Sequence, residues 1–471
     1  MTALIEQVAA FAARARETGL PETLRGDAAR RVLDVMGNCL AAATEEPARI
    51  VTETVDGWGG HEVAHVIGRT RRYPAPSAAL VDGTLAHALD FDDTHLPSVL
   101  HPSSSVVPAA LAAAEAEGRT GTALLDAVAV GDEVCVRLGV AGYDEALGNS
   151  IFFERGQHAT AICGTVGAAV AVGMLYELDP AGIAAAAGIA ASMGAGLLEA
   201  NRTGGTVKRV HCGWAAHAAV AAGDLARRGL TGPPTVLEGR FGFFQAWCGD
   251  NARPDLVVRD LGDRWETPGI FFKPYPCNHF THAGIDAALR LKANGLAVDD
   301  VDSIELGAPA AVLRTIAQPP EIKAAPPSGY AAAFSGPYTV AAALTGGGGL
   351  GVWLDDFTDE AARDPHRLDL ASKVTCVPDA HCDEIFPRQF PAVLRIRTRT
   401  GQTHEVRVDA NRGGPDNPLS DAELAAKFAL GARRALPNER VARLEEAVLG
   451  LADAPSVADV LALAARLEEE P

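Results

Sequence analysis

The chain has 471 residues; 48% are apolar, only 6% are aromatic, and 48 are glycine. This length allows two or three domains, and an Ala- and Gly-rich apolar fraction favours close-packed helices over sheets. The formal net charge of −19 argues against nucleic acid and an anionic membrane surface as partners. The cysteines form no C-x-x-C pair, which argues against a zinc ribbon or iron–sulfur cluster and predicts free thiols in the cytoplasm.

Helical periodicity dominates the first half of the chain. Helices are predicted at residues 3–18, 26–44, 76–90, 104–117, 121–138, 160–176, 180–199 and 213–228. Asp27 is the predicted N-cap of the second helix. Two stretches, 158–175 and 181–198, are apolar enough to resemble membrane spans, but their small side chains indicate buried helices.

The pattern changes after about residue 265, where a Pro- and aromatic-rich segment begins. A helix is predicted at 281–294, strands at 301–307, 374–378 and 392–398, a hairpin after the last strand, and helices from 419 to the end. We therefore predict a mainly α protein. Both chain ends, 1–265 and 409–471, would form a large all-helical domain, and residues 266–408 a smaller inserted α+β domain.

The most polar segment of the apolar first half is residues 88–103. It holds three carboxylates, a threonine and two imidazoles: Asp90, Asp92, Asp93, Thr94, His95 and His101. Carboxylates and histidines crowded together shift one another's proton affinities, which favours a functional site. The alternative is an acidic helix end followed by a helix N-cap within residues 103–105.

Later segments also place polar groups beside apolar helices. His158 would lie at the positive N-terminal end of a helix, either as a structural residue or as a functional one. Lys208 and His211 precede an Ala-rich helix, an arrangement that suits anions. Lys273 is followed by a Pro-Tyr-Pro sequence that restricts its position, and Tyr338 opens another Ala-rich helix.

In this order, these segments resemble the MmgE/PrpD family, which includes 2-methylcitrate dehydratase, cis-aconitate decarboxylase and iminodisuccinate epimerase. The matching motifs extend over nearly the whole chain: LDFDDT at 89–94, HPS at 101–103, GQH at 156–158, GTVGAA at 164–169, Lys208 with HCGWAA at 211–216, and KPYPCNHFTH at 273–282.

The resemblance implies a helical domain with a lid domain, a homodimer, and an active site between the domains. It implies a lyase or isomerase that needs no metal or cofactor and removes a proton next to a carboxylate of a small di- or tricarboxylate. The implied catalytic residues are His158, His101, Lys208, Lys273 and Asp90. The implied substrate-binding residues are Thr94, His211, Asn278, His279 and Tyr338.

The expected chemistry gives these residues different roles. The two lysines would stabilise developing negative charge, and Asp90 would orient a histidine. His158 would be the general base, and His101 the general acid. This chain departs from the decarboxylase-like members of the family in two ways. Those members have a His where this chain has Asn278, next to His279, and their spacing between the residues that match Asp90 and His101 is one residue shorter. The sequence therefore leaves dehydration, epimerisation and decarboxylation open.

Two other functions fit parts of the sequence. Asp90, Asp92 and Thr94 match the D-x-D-x-T pattern of Mg²⁺-dependent phosphohydrolases, although that motif should follow a buried strand and here follows a predicted helix. A non-catalytic helical scaffold, in which the polar clusters only cap helices, is the third possibility.

Overall fold

The computed structural model describes residues 2–466, apart from the side chains of Asn201 and Arg202, and they form two units. One unit contains the residues up to Ile270 and those from Leu424 onward; the other is Phe271–Glu423. Helices dominate, which confirms the predicted mainly α fold with a smaller part that contains strands. The helices up to Ile270 are Leu4–Thr18, Glu22–Ala41, Glu46–Trp58, Ala75–His87, Ser103–Ala116, Gly121–Ala141, Ile151–Glu154, Ala159–Leu175, Pro180–Ala191, Ala200–Thr203, His211–Ala226 and Phe243–Trp247. Those near the C-terminus are Asp421–Ala432, Asn438–Leu449 and Val457–Leu463.

The core of the first unit is the helix Ala159–Leu175, in which every residue is buried. It packs against Ser103–Ala116, Gly121–Ala141 and His211–Ala226, and its small side chains allow this crowding. None of the helices within residues 2–466 is long and apolar enough to cross a membrane.

Two glycines permit a close helix crossing in the first unit. A Cβ atom at Gly83 would lie 2.7 Å from the Cα atom of Gly213, a distance that no side chain tolerates. The crossing joins the helices Ala75–His87 and His211–Ala226, and it lies near the end of the first and the start of the second. Two histidine-bearing helix ends are thereby brought together.

Three local predictions for this unit were wrong. The second helix begins at Glu22 after Pro21, so Asp27 lies inside it, where its carboxylate accepts hydrogen bonds from Arg31, four residues later. The predicted helix 180–199 ends at Ala191. The N-cap residue of the helix that begins at Ser103 is Pro102, which provides no side-chain cap, so the N-cap explanation of residues 103–105 does not hold.

The second unit contains a four-stranded sheet. Its order is Thr403–Val408, Ala392–Thr398, Val301–Ala308 and Val374–Pro378; the last pair is parallel and the others are antiparallel. The hairpin predicted after residue 398 is confirmed. The helices of this unit are His282–Ala293, Ala310–Ile316, Pro320–Ala324, Gly329–Ala332, Gly336–Thr345, Pro365–Ser372 and Ala380–Ile385. The remaining strands are two residues long: Ala64–His65, Arg72–Tyr73, Thr94–His95, Tyr143–Asp144, Asn149–Ser150 and Ile270–Phe271.

Candidate active site

The acidic loop, residues 88–93, follows the helix Ala75–His87 and sends its three carboxylates to three different partners. Asp90 has a φ of 52°, in the left-handed region that few non-glycine residues adopt. This conformation turns the chain sharply just after the helix ends. Because each carboxylate finds its own partner, the loop avoids the mutual repulsion that its sequence suggests.

Asp90 forms an ion pair with Lys208. The Lys208 Nζ atom lies 3.0 Å from Asp90 Oδ1, and both side chains are buried. Lys208 belongs to the 3₁₀ turn Val207–Val210, directly before the helix that begins at His211. Lys208 and Asp90, both predicted as site residues, are therefore in direct contact although 118 positions separate them in the sequence.

Asp92 binds a histidine that the sequence analysis did not single out. Its Oδ2 atom lies 2.7 Å from the Nδ1 atom of His87, and both side chains are buried. Burial alone would lower the pKa of His87, but the Asp92 carboxylate outweighs it and raises that pKa to about 10. His87 is therefore an imidazolium at neutral pH.

Asp93 shares a hydroxyl group with Asp132. The Ser103 Oγ atom lies 2.5 Å from Asp93 Oδ2 and 2.9 Å from Asp132 Oδ2. A hydroxyl donates only one hydrogen bond, so one of the two carboxyls must be protonated in order to donate to Ser103. Burial raises the pKa of both carboxyls, which agrees with a shared proton.

The tautomer of His101 follows from its hydrogen bond. Its Nδ1 atom lies 2.6 Å from the backbone oxygen of Asp93 and 3.2 Å from Thr94 Oγ1. A carbonyl oxygen can only accept, so Nδ1 carries a proton. In the neutral ring Nε2 is then unprotonated, and it can take up a proton and later return it.

His158 and His211 form a second imidazole pair. Their Nδ1 atoms lie 3.0 Å apart, and the backbone N–H of His158 donates to the oxygen of Gly196. A Cβ atom at Gly196 would lie 2.9 Å from His158 Cβ and 3.2 Å from His211 Nδ1. A residue without a side chain is therefore needed beside this pair.

We use the term imidazole cluster for His87, His101, His158 and His211. The ring centroid of His87 lies 5.7 Å from that of His101 and 5.3 Å from that of His158, which in turn lies 5.1 Å from His211. Burial, followed by the charge of His87, lowers the pKa of His158 well below its usual value and that of His211 to about 4. The cluster thus combines the cation of His87 with the neutral rings of His158 and His211.

The acidic loop is anchored from two other helices. The Phe91 backbone oxygen accepts hydrogen bonds from Asn38 Nδ2 at 3.2 Å and Lys427 Nζ at 3.1 Å. Lys427 also lies 3.9 Å from the Phe91 ring centroid and forms a buried ion pair with Asp34 at 2.6 Å. This contact connects the C-terminal helices of the first unit to the loop that carries Asp90 and Asp92.

The remaining predicted site residues lie in the second unit. Lys273 is buried, Asn278 accepts a hydrogen bond from the backbone of Phe280, and His279 contacts Asn411. Tyr338 is fully buried and its hydroxyl donates to the backbone oxygen of Asp356 at 2.7 Å. That hydroxyl supports the core of the unit, and a substrate-binding role of Tyr338 stays a prediction.

One group within residues 2–466 has the composition of a metal site. Potential ligand atoms of His87, Asp92 and Cys212 lie within 4.8 Å of one another. Ligands of a tetrahedral zinc ion at about 2.0–2.1 Å lie about 3.3 Å apart, whereas His87 and Asp92 make a 2.7 Å hydrogen bond. We therefore treat this pair as a hydrogen-bonded ion pair.

The geometry also argues against the phosphohydrolase reading. Asp90 follows a helix, whereas the D-x-D-x-T motif should follow a buried strand. The carboxylates of Asp90 and Asp92 bind Lys208 and His87 respectively, so each is already matched by a separate cation.

Comparison with known proteins agrees with the resemblance. Residues 6–254 match the MmgE/PrpD N-terminal domain and residues 275–453 the MmgE/PrpD C-terminal domain. A cis-aconitate decarboxylase-like protein of Aspergillus oryzae is 30% identical over 442 residues, which cover 87% of this chain and 86% of the relative. The cis-aconitate decarboxylases of Aspergillus terreus and Homo sapiens are each 29% identical, over 84% and 90% of this chain and 83% and 86% of their own lengths. The chain therefore belongs to the MmgE/PrpD family.

Proposed function

We propose that this protein is a lyase that acts on a small tricarboxylate of the aconitate type and moves a proton at a carbon next to a carboxylate. The observation that carries the proposal is the imidazole cluster beside Lys208. It contains rings that are neutral near pH 7 and can exchange protons with a substrate, together with buried cations that attract carboxylates. The names of the relatives support the choice of tricarboxylate.

The proposed site supports either of two lyase reactions. In a dehydration, a base removes the proton from one carbon and an acid protonates the hydroxyl that leaves the next carbon, so that water is released. In a decarboxylation, the bond to a carboxyl group breaks, CO₂ leaves, and an acid protonates the remaining carbanion. Both pass through a state with negative charge beside a carboxylate, which a preorganised cation such as Lys208 stabilises.

The roles of the residues follow from their surroundings. His158 is the proposed base because it is held neutral, and His101 the proposed acid because its protonated Nδ1 leaves Nε2 to exchange a proton. Lys208 stabilises the developing charge and Asp90 positions that lysine. We retain Lys273, Thr94, Asn278 and His279 as proposed contributors on the basis of the family resemblance.

The test is a substrate screen in D₂O. The protein is incubated with cis-aconitate, citrate and 2-methylcitrate, with EDTA present, and the products are followed by NMR. We expect loss of CO₂ or water from at least one acid and deuterium next to a carboxylate. Inversion without loss of either would identify an epimerase instead.

The same screen separates the alternatives. Absence of turnover and of exchange, with EDTA and with divalent metals, would contradict the proposal and leave the scaffold reading. Mg²⁺-dependent phosphate release from p-nitrophenyl phosphate would favour the phosphohydrolase. The predicted homodimer belongs to the same proposal, and a native mass of twice the 48.9 kDa chain tests it.

A further inference from the structure

His87 is a buried cation that the proposed reaction does not yet use. The residue is 2% exposed, and its ring centroid lies 5.7 Å from that of His101 and 5.3 Å from that of His158. Asp92 occupies its Nδ1 atom, and within residues 2–466 nothing hydrogen-bonds its buried Nε2 atom. Leaving a buried donor without an acceptor costs free energy, so this nitrogen needs a partner that the described part of the chain does not supply.

The charges that face His87 define what such a partner must be. Asp92 holds the ring in its charged form, and the positive charge of Lys208 also acts on it. With both ring nitrogens protonated, Nε2 can only donate. The thiol of Cys212 lies nearby but makes no hydrogen bond to His87 in the part of the chain that the structure describes. An anionic oxygen is the acceptor that fits an imidazolium N–H beside a lysine.

We propose that His87 is a catalytic residue whose Nε2–H donates a hydrogen bond to a carboxylate of the bound substrate, and that Asp92 is the positioning residue that holds it there. The inference rests on the proposed function and adds a carboxylate-binding group to that site. A donor in this position also stabilises charge that spreads onto the carboxylate when the neighbouring carbon loses its proton.

The probe is tricarballylate, a saturated tricarboxylate with neither a hydroxyl group nor a double bond to react. Binding is measured by calorimetry on the full chain. We expect His87→Phe, which keeps a ring but loses the N–H, to weaken binding of tricarballylate by roughly tenfold or more. The kcat/KM for the substrate found in the screen should fall about a hundredfold.

His65 provides a matched control. Its Nδ1 atom lies 2.6 Å from Glu115, so it is also a histidine–carboxylate pair. Glu115 lies near the end of the helix Ser103–Ala116, about 18 Å along the axis from the end that adjoins His101. His65→Phe should leave the dissociation constant for tricarballylate and the kcat/KM for the substrate within twofold of the wild-type values.

Asp92→Asn tests the positioning role. In the wild type, the Asp92 carboxylate keeps His87 charged up to about pH 10, so tricarballylate affinity should change little from pH 5 to 9 on account of this group. In Asp92→Asn, burial and the charge of Lys208 lower the pKa of His87 below its ordinary value, so the dissociation constant relative to the wild type should rise as the pH increases from 5 to 7 and stay high up to pH 9. A purely structural role would weaken binding equally at every pH.

The outcomes distinguish the two proposals. If the wild type binds tricarballylate and turns over a tricarboxylate, but folded His87→Phe does both equally well, the inference about His87 is wrong and the proposed function stands. If the wild type does neither, the proposed function itself is wrong. Should His87→Phe not fold, the His87 Nε2–H resonance of the wild type decides, because it must shift when tricarballylate is added.

Discussion

The Nδ1 atoms of His158 and His211 lie 3.0 Å apart, and both rings are neutral at pH 7 because burial and the charge of His87 lower both pKa values. One Nδ1 must therefore carry a proton and the other must accept it. The ring that donates has an unprotonated Nε2, which is the form that a base requires. Each histidine thus determines the tautomer of the other.

The division of roles between His158 and His101 leads to the first prediction. His158→Gln should abolish the exchange of solvent deuterium into the substrate, because it removes the proposed base. His101→Gln should slow product formation but leave some exchange. Proton NMR in D₂O measures both rates in one sample.

The opposite pattern would interchange the two roles. Unimpaired exchange in both variants would remove histidine from proton abstraction and transfer that role to Lys208 or Asp90.

Lys208 should act mainly by stabilising charge. Lys208→Met should lower kcat/KM by about a hundredfold or more, as the loss of a single oxyanion donor does, while circular dichroism shows an intact fold. Lys208→Arg would keep the positive charge but would not place it in the same position. The family resemblance predicts a similar loss for Lys273→Met.

Lys373 is the control for both lysine variants, because it forms an ion pair with Asp369 in the second unit and has no proposed role. Near-normal turnover in Lys208→Met would contradict the assignment. An equal loss in Lys373→Met would show that the effect is not specific to the site.

The sequence predicted which residues belong to the candidate site better than it predicted which of them contact one another. Lys208, Asp90, His101 and His158 were identified from motifs and from their place beside apolar helices. His87 was missed because it ends a helix of small apolar residues, where it resembles an ordinary core histidine. Its five-residue spacing from Asp92 is the only local signal, and the partnership depends on the turn at Asp90.

The wrong prediction of an N-cap at Asp27 has a local cause. Aspartate often caps helices, which favoured Asp27. The helix begins earlier, after Pro21, and Arg31 donates hydrogen bonds to the Asp27 carboxylate instead. The hydroxyl of Tyr338 binds a backbone oxygen of its own unit, 18 positions away in sequence, and this contact could not be predicted from the local motif.

The buried pair Lys427–Asp34 should be important for stability. Lys427→Met would leave the Asp34 carboxylate buried with no ammonium partner, and we expect it to lower the free energy of unfolding by about 3–5 kcal/mol. Burial already raises the pKa of Asp34, so the carboxyl can take up a proton and the loss should be smaller at pH 5 than at pH 8. Urea unfolding at both pH values measures it.

The double variant Lys427→Met with Asp34→Leu removes both charges and should recover most of that stability. If the single variant lost less than about 1 kcal/mol, the pair would behave like an exposed ion pair, and its role as an anchor of the acidic loop would be wrong.

The proton shared by Asp93 and Asp132 predicts a pH dependence. Both folded-state pKa values are raised, that of Asp93 to about 7. The stability they contribute is therefore fully present below about pH 4 and is lost as the pH rises through 7. In Asp132→Asn, the amide N–H replaces the proton permanently, so the variant should gain stability relative to the wild type between pH 5 and 8.5.

Urea titrations of both proteins at pH 5, 7 and 8.5 give that difference directly. A difference that is constant across the three pH values would show that no proton is shared at Ser103.

The contact between Phe91 and Lys427 also affects how the site forms during synthesis. The two residues are separated by 336 positions, and at 5–20 residues per second a ribosome needs about 15–70 s to translate that interval. During this time the acidic loop is already made, whereas the ammonium group that anchors it does not yet exist. Catalytic competence should therefore appear late on the nascent chain, well after the helices that carry the histidines have been synthesised.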